Sequence, residues 1–304
     1  MSVTLDNSNV SKVLGQVVDY PDQYDSSILV REPRQSNRKH LQINDNNLPF
    51  VGADVWNAYE ISCLTKKGLP VTAIAKIIYS CDNTYIVESK SIKLYFNSYN
   101  MTRLGETPEE ALRLLGERAS EDLSNLLETN VIVSLFTPTE AREHSTTHIF
   151  NPNDYITLED QNNVINDVTF DVYTEDGSLL QSTEQPKNVS QYYHSSLLKS
   201  NCRVTSQPDW GDVFIYMNSK HVLVPTQLLR YIVSYRDECH FHEEICETIY
   251  KRLYAKYKPE ELAVTCLYAR RGGIDINPTR VSHPDLLNMD LLDPSVVFTK
   301  TPRQ

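Results

Sequence analysis

Two side chains with the chemistry of a cysteine-dependent enzyme, Cys202 and Asp209, lie seven positions apart. Only the thiolate form of a cysteine attacks carbon, so the surroundings of Cys202 must favour that form, and Arg203 would help if it points toward the sulfur. Asp209 lies between Pro208 and Trp210, and a carboxyl packed against an indole can retain a proton near neutral pH, as a general acid requires. The spacing indicates a nucleophile and a proton donor, although core cysteines and Pro-Asp turns are the commoner origin of such residues.

The composition narrows the class of protein. Of the 304 residues, 40% are hydrophobic and 23% are charged, which is ordinary for a globular protein and enough for one large domain or two smaller ones. The formal net charge of −11 argues against direct binding of nucleic acid, because phosphate contacts need clustered Lys and Arg. We therefore expect a small-molecule substrate.

The sequence also bears on location. No run of about 18 apolar residues exists, so we expect no membrane span. The polar and acidic stretch 1–9 lacks the pattern of a secretory signal. The six cysteines show no framework spacing, which indicates reduced thiols and a cytoplasmic protein.

Hydrophobic periodicity predicts the elements that must position these residues. Thr107, Pro108 and Glu110 have the order of a capping hydroxyl, a first-turn proline and a capping-box glutamate, so we expect a helix from there to about Glu128. A second long helix should run from Phe241 to near 258. We expect strands at 71–79, 85–99, 131–136, 168–173, 212–217, 222–235 and 262–268, and short helical segments near 59–64 and 192–199.

An internal echo indicates two related halves. The run Tyr95-Phe96-Asn97-Ser98-Tyr99 matches Tyr231-Ile232-Val233-Ser234-Tyr235, 136 positions on, and in both halves a hairpin, a long helix and a strand are expected. We predict an α+β fold of two modules, each an antiparallel sheet with long helices on one face. The boundaries are an N-terminal arm at 1–50, a first module at 51–137, a linker or insertion at 138–165 and a second module at 166–304.

The two halves differ in their polar residues. The second carries Cys202, Asp209 and His242-Glu243, whereas the first carries Glu88-Ser89-Lys90-Ser91-Ile92-Lys93-Leu94-Tyr95. Such divided labour predicts a composite site at a junction between modules.

Together these residues resemble a known family, the NADPH-dependent 7-cyano-7-deazaguanine reductases, which are the nitrile reductases of queuosine synthesis, in their long two-module form. The stretches that carry the likeness are 47–70, 88–95, 197–210, 241–243 and 270–278. The resemblance implies the tunnelling fold (T-fold), in which antiparallel sheets assemble into a barrel with sites at module interfaces. It also implies a homodimer.

The resemblance assigns roles to individual residues. Cys202 would attack the nitrile carbon and form a covalent thioimide, and Asp209 would supply a proton. The substrate-binding positions it implies are Val87, Glu88, Ser89, His242 and Glu243. The NADPH-binding positions it implies are Ser89, Lys90, Arg271 and Gly272. Two residues depart from the family pattern, Arg203 and Thr279.

Other interpretations of these motifs remain open. Glu88-Ser89-Lys90-Ser91 reads by itself as a solvated strand edge, and Arg270-Arg271-Gly272-Gly273 as a turn. No Gly-x-Gly-x-x-Gly follows a strand, so a Rossmann site is not indicated. A zinc site could be built from Cys239, His240, His242 and Cys246, but these lack paired-ligand spacing and we predict no metal. The rival functions are a non-redox cysteine enzyme, such as a nitrile hydrolase or acyl transferase, and a non-catalytic base-binding module.

Overall fold

A computed structural model of the chain describes residues 21, 23–143, 145–150, 154–161, 168–203, 205–301 and 303–304. The predicted arm and linker therefore lie partly outside the described residues. The strands are β1 (Arg31–Pro33), β2 (Val51–Leu64), β3 (Pro70–Ser80), β4 (Tyr85–Val87), β5 (Val131–Phe136), β6 (Ser145–His148), β7 (Ile156–Thr157), β8 (Ser182–Cys202), β9 (Pro208–Leu223), β10 (Cys239–His240), β11 (Glu261–Tyr268), β12 (Ile274–Val281) and β13 (Val297–Thr299). The helices are α1 (Gln35–His40), α2 (Ser89–Asn97), α3 (Pro108–Leu127), α4 (Pro138–Glu143), α5 (Pro225–Val233), α6 (His242–Tyr257) and α7 (Met289–Leu292).

One large sheet dominates the described residues. Its strands follow the order β10-β8-β9-β11-β12-β2-β3-β5, with β7 also pairing with β8. The strands from β8 to β5 are antiparallel to their neighbours, while β10 and β7 pair in parallel with β8. The two halves meet where β12 pairs with β2, so the sheet is continuous from one half to the other. It is open, ending at β10 and β5, and the chain is a mixed α+β protein.

The helices α2, α3, α5 and α6 cover one face of this sheet. Side chains of a strand alternate between its faces, and on β2 Trp56 and Ala58 point into a core formed with α2 and α3. On β11, Leu262 and Val264 pack into a second core with α5 and α6. The opposite face receives the C-terminal segment, where Leu291 of α7 packs against Ala53 and Val55, among others.

The two long helices form where the sequence predicted them. Thr107 caps α3 by accepting from the Glu110 amide at 3.2 Å, and Glu110 reaches back to the amide of Glu106 at 2.6 Å. Helix α6 ends at Lys258 in a left-handed conformation with φ 43°. The strands predicted at 71–79, 131–136, 212–217 and 262–268 are also confirmed.

Five other predicted elements were wrong. Segments 59–64 and 192–199, expected to be helical, belong to β2 and β8, and 168–173 forms no regular element. Segment 85–99 holds only the short β4 before Glu88 caps α2, accepting from the amides of Lys90 and Ser91. Segment 222–235 leaves β9 at Leu223 and becomes α5, with Pro225 in its first turn. In both α2 and α5 the β-branched and aromatic residues predicted a strand, and a terminal signal begins a helix instead.

The internal echo is reproduced in the structure, but at helix ends rather than in strands. Tyr95 and Tyr99 join their hydroxyls at 2.9 Å at the end of α2, and Tyr231 and Tyr235 do so at 2.7 Å at the end of α5. In each pair the intervening serine donates to the first tyrosine carbonyl at 2.6 Å. In both halves a hairpin is followed by a short helix, a long helix and a strand.

A buried network of ion pairs joins the N-terminal segment, the sheet and α6. Arg34 contacts Asp54 at 2.6 Å, and Arg280 contacts the other oxygen of Asp54 at 2.8 Å. Glu247 of α6 receives Arg38 at 2.7 Å and Arg280 at 2.9 Å. Burial would raise the pKa of Glu247, but these arginines outweigh it and hold the pKa below its usual value.

We expect Glu247→Gln to lower the free energy of unfolding by about 3–5 kcal/mol, because it leaves buried arginines uncompensated. The matched control is Glu117→Gln, which breaks an exposed pair with Arg113 and should cost less than about 1 kcal/mol. Urea unfolding at fixed protein concentration measures both. Equal losses in the two variants would contradict a structural role for the network.

Among the described residues, no helix is both long enough and apolar enough to cross a membrane.

Candidate active site

The β8–β9 hairpin places Cys202 and Asp209 on one face. Ser200 is directly opposite Asp209 in the antiparallel register, and residues two apart on a strand share a face, so Ser200, Cys202 and Asp209 point the same way. The turn closes tightly, since the Cys202 amide donates to Gln207 at 2.8 Å and its carbonyl accepts from Ser206 at 2.9 Å. Cys202 is 8% exposed, so its sulfur is shielded from bulk water.

Trp210 does not cover the carboxyl of Asp209, contrary to the expectation from the sequence. Neighbouring strand residues point to opposite faces, and Trp210 lies under Arg236, whose guanidinium is 5.4 Å from the ring centroid. Asp209 instead contacts Arg271 at 2.8 Å and lies 3.6 Å from Nε2 of His242. Its surroundings are thus a cation and an imidazole.

The first turn of α6 brings two more predicted residues to the same place. His242 packs edge-on against Tyr268 with ring centroids 4.1 Å apart, which turns its imidazole toward Asp209. Glu243 is buried, and its carboxyl has a pKa raised to about 8. Burial is the main cause, and the nearby charge of Asp54 is the second. The strand–helix junction that follows β10 therefore supplies both side chains.

The first half contributes the end of β4 and the start of α2. Glu88 is buried and caps α2, which is not the solvated strand edge that its sequence alone favoured. The side chain of Val87 packs in the core, and Ser89 lines a cleft between the two halves. Lys90 is one position on and lies on a different side of the helix from Ser89, whereas Lys93, four positions on, shares its side.

A cleft of about 260 Å³ lies between these segments, and we call it the central cleft. Of the predicted site residues, Ser89, His242 and Arg271 line it, whereas Cys202, Asp209 and Glu243 are not among its lining residues. Its walls come from α2, α6, β11, β12 and the turn between the last two. The lining residues are Ser89, Lys93, His242, Tyr268, Ala269, Arg271, Ile274 and Ile276. A second cleft of about 240 Å³ shares Lys93 and Ile274 with it and is also lined by Gly272 and Gly273.

Lys93 and Tyr268 are site residues that the sequence did not single out. Burial is the main cause that lowers the pKa of Lys93, and the charge of Arg271 is the second. Three groups oppose this shift and so lie near the ammonium: Glu88, Asp209 and Cys202. Lys93 is four positions after Ser89, a spacing that places both side chains on one side of a helix, so recognising α2 as a helix would identify Lys93. Nothing around Tyr268 marks it in the sequence.

Some buried polar atoms around the candidate site lack a hydrogen-bond partner within the described residues. Within the part of the chain that the structure describes, Oε1 of Glu243, Oη of Tyr268 and Oγ of Ser200 are buried without a hydrogen-bond partner. Buried polar groups normally have partners, so atoms of this kind in a cleft are suited to a polar ligand.

The residues expected to hold NADPH offer suitable groups. Arg271 and Lys93 place two cations in the central cleft, and such cations suit a phosphate group. Gly272 has φ 57°, and a Cβ there would lie 3.1 Å from Nζ of Lys93, so glycine relieves both the backbone and the contact. Thr279 lies elsewhere, bonded to Thr265 at 2.7 Å on the face opposite the long helices.

The side chains weighed for zinc do not converge. Cys239 is exposed, and Cys246 is buried with its sulfur 3.4 Å from the Val264 carbonyl. His240 lies between Glu238 at 3.1 Å and Glu244 at 3.3 Å. In the described ranges, no three His, Cys, Asp or Glu side chains are grouped as a metal ion would require.

The fold is that of a mixed α+β protein, and the candidate site is a polar cleft between its two halves, close to a buried thiol. Comparison with known proteins identifies the family. A family model described as "Nitrile reductase, 7-cyano-7-deazaguanine-reductase N-term" matches residues 20–135, and one described as "QueF-like protein" matches residues 208–285. The chain belongs to the family of NADPH-dependent 7-cyano-7-deazaguanine reductases.

Curated relatives of that name agree along almost the whole chain. The protein of Hahella chejuensis is 40% identical over 271 residues, which is 89% of this chain and 93% of the relative. That of Acidovorax ebreus is 41% identical over 280 residues, covering 90% and 94%, and that of Colwellia psychrerythraea is 38% identical over 274 residues, covering 89% and 91%. A crystal structure of the archaeosine synthase QueF-Like in the apo form overlaps 31% of this chain and 95% of its own, at 19% identity and a TM-score of 0.27, too little to support any statement about fold or function.

We expect Glu243→Gln to stabilise the protein near neutral pH. The folded carboxyl keeps its proton up to about pH 8 against an ordinary value of 4.5, so the native state binds more protons in that window and stability falls as pH rises through it. The raised pKa lowers the free energy of unfolding by about 3 kcal/mol at pH 7. Glu243→Gln should recover this stability while losing affinity for the substrate.

Urea unfolding of wild type and variant between pH 4 and pH 8 tests this expectation. The difference in the free energy of unfolding should grow with pH and vanish near the acid end. A difference that stays constant over this range would show that the buried carboxyl does not have a raised pKa.

Proposed function

We propose that this chain reduces the nitrile of 7-cyano-7-deazaguanine to the primary amine, with Cys202 as a covalent nucleophile. The reductase activity and the dependence on NADPH follow from membership of the family. The observation that supports the roles of individual residues is that Asp209 contacts His242 and Arg271, which line the central cleft, and that Cys202 interacts with the charge of Lys93 in the same cleft. In the queuosine pathway the amine is the form passed on toward tRNA.

The proposed chemistry begins at the sulfur. The Cys202 thiolate adds to the nitrile carbon and the nitrogen takes a proton, which gives a thioimide and leaves no other product. NADPH, when bound, supplies a hydride to that carbon, and the resulting adduct expels the thiolate to form an imine. A second hydride and a further proton complete the amine, so each nitrile consumes two NADPH and two protons.

The polar side chains supply protons and orientation. Asp209 is the proposed proton donor, and its contacts with Arg271 and His242 connect it to the central cleft. The unpartnered oxygen of Glu243 and the carboxylate of Glu88 are the proposed partners of the guanine-like edge of the base. A site built to pair such an edge rejects analogues that lack it far more strongly than an apolar pocket does.

The cofactor would be held by Ser89, Lys90, Arg271 and Gly272, and we add Lys93 to this set. The central cleft is too small to enclose a whole dinucleotide, which must therefore extend beyond it. The second cleft adjoins it through Lys93 and includes Gly272, which supports an extension in that direction. His242 is a further proton carrier in this proposal.

The predicted modules, the barrel and the location also remain proposals. The repeated order of hairpin, short helix, long helix and strand supports two tandem T-fold modules at 51–137 and 166–304. The open sheet supports closure by a second copy, which would make a homodimer of twice 34.9 kDa. A cytoplasmic location without direct contact to nucleic acid agrees with the net charge of −11.

Cys202→Ala should abolish nitrile reduction, because it removes the sulfur that forms the covalent adduct. Asp209→Asn should retain binding of the base but lose about 10²–10⁴ in turnover, the usual contribution of a general acid. The turnover of both variants is measured from the decrease in NADPH absorbance in the presence of the cyano base. The matched control is Cys239→Ala, since this cysteine is exposed and should be dispensable.

Reduction at the wild-type rate by Cys202→Ala would overturn the covalent mechanism. Release of a carboxylate or amide from the nitrile without consumption of NADPH would instead indicate the non-redox cysteine enzyme.

A further inference from the structure

Arg203 follows the proposed nucleophile directly, and its charge is engaged away from the hairpin. Its Nη1 lies 3.1 Å from Oε1 of Glu244, and its guanidinium lies 5.3 Å from the centre of the Phe241 ring. Glu244 is buried, whereas the side chain of Arg203 is about one-quarter exposed, so the pair lies at the edge of the packed interior. The turn after Cys202 is thereby joined to the start of α6.

Glu244 has a second set of contacts on the same helix end. Its Oε2 accepts from the Phe241 amide at 3.0 Å and lies 3.3 Å from Nδ1 of His240. His240 in turn lies 3.1 Å from Glu238, and its main chain pairs in parallel with Cys202. Glu238, His240, Glu244 and Arg203 therefore form a chain of alternating charge around the segment that holds the sulfur.

The first half of the molecule faces this chain of charges as well. The pKa of Glu32 in β1 is raised, mainly by burial. The charge of Arg203 opposes this shift, and the charges of Glu88 and Glu244 add to it. Arg203 is thus a cation near two carboxylates, Glu32 from the first half and Glu244 from α6. Its removal would leave those carboxylates to repel one another.

We propose that Arg203 is a positioning residue whose ion pair with Glu244 holds the turn after Cys202 against the first turn of α6. His242 and Glu243 lie in that turn, so the pair fixes the sulfur relative to the groups that would bind and protonate the substrate. The inference rests on the proposed function, because it gives meaning to the position of Cys202. It differs from the expectation that Arg203 acts by favouring the thiolate.

The experiment compares Arg203→Ala, Arg203→Gln and Arg203→Lys with the control Arg236→Ala. Arg236 is an exposed cation on the opposite face of the same hairpin, over Trp210. Two readouts are taken: kcat and KM for nitrile reduction, and the pH dependence of the alkylation of Cys202 by iodoacetamide, followed by peptide mass. The second does not depend on the reaction that the enzyme catalyses.

We expect Arg203→Ala and Arg203→Gln to lower kcat by about tenfold, as misplacement of a reacting group does, with the midpoint of the alkylation profile unchanged. Arg203→Lys should recover most of the loss, and Arg236→Ala should match wild type. A shifted midpoint in Arg203→Gln would show that the guanidinium tunes the thiol, and an unchanged kcat would show that it has no role. Either result overturns the proposal.

The outcome is separable from a failure of the proposed function. If Cys202→Ala still reduced the nitrile, the covalent mechanism would fall whatever the Arg203 variants did. If Cys202→Ala is inactive while Arg203→Gln reduces the nitrile at the wild-type rate, only the positioning role is wrong. Should Arg203→Ala fail to fold, Arg203→Gln, which keeps the aliphatic stem and a polar end, decides the question.

Discussion

The buried ion network around Asp54 and Glu247 is the constraint on which the site depends. Three arginines and two carboxylates have been removed from water there, and each is tolerable only because the others remain in place. Arg34 and Arg38 come from the N-terminal segment, Asp54 and Arg280 from the sheet, and Glu247 from α6. The network therefore fixes the angle at which α6 meets the sheet, and the first turn of α6 carries His242 and Glu243.

The same network governs the chemistry of the neighbouring glutamate. Glu243 is buried close to Asp54, and the two negative charges in a region poor in water make ionisation of Glu243 costly. A carboxyl left with an unpartnered oxygen in this position destabilises the free protein, and a ligand that donates hydrogen bonds would relieve the strain. This trade of stability for recognition is common at binding sites, where polar groups are kept ready for a substrate.

The sequence predicted the long elements better than it predicted the local structure around the candidate site. The α3 and α6 helices carry strong periodic patterns and terminal signals, and both formed as expected. The sequence predicts strands after Val87 and after Leu223, because β-branched and aromatic residues fill the buried side of a helix as well as that of a strand. Recognising Glu88 as a cap and Pro225 as a first-turn residue would have corrected both.

Other features depend on contacts between distant parts of the chain. The carboxyl of Asp209 meets Arg271 rather than Trp210, because the alternation of β9 sends the indole to the other face. Arginine side chains are mostly exposed in proteins, yet Arg34, Arg38 and Arg280 are among the most buried residues here. Tyr268 and Lys93 enter the site only when the two halves pack together, and no local pattern marks them.

The central claim is that the Cys202 sulfur bonds to the nitrile carbon. Intact mass of the protein after mixing with 7-cyano-7-deazaguanine, in the absence of NADPH, tests it most directly. The account predicts a gain equal to one whole substrate molecule in wild type and in Cys239→Ala, and none in Cys202→Ala. An unshifted wild-type mass under saturating substrate, or the same shift in Cys202→Ala, would contradict it.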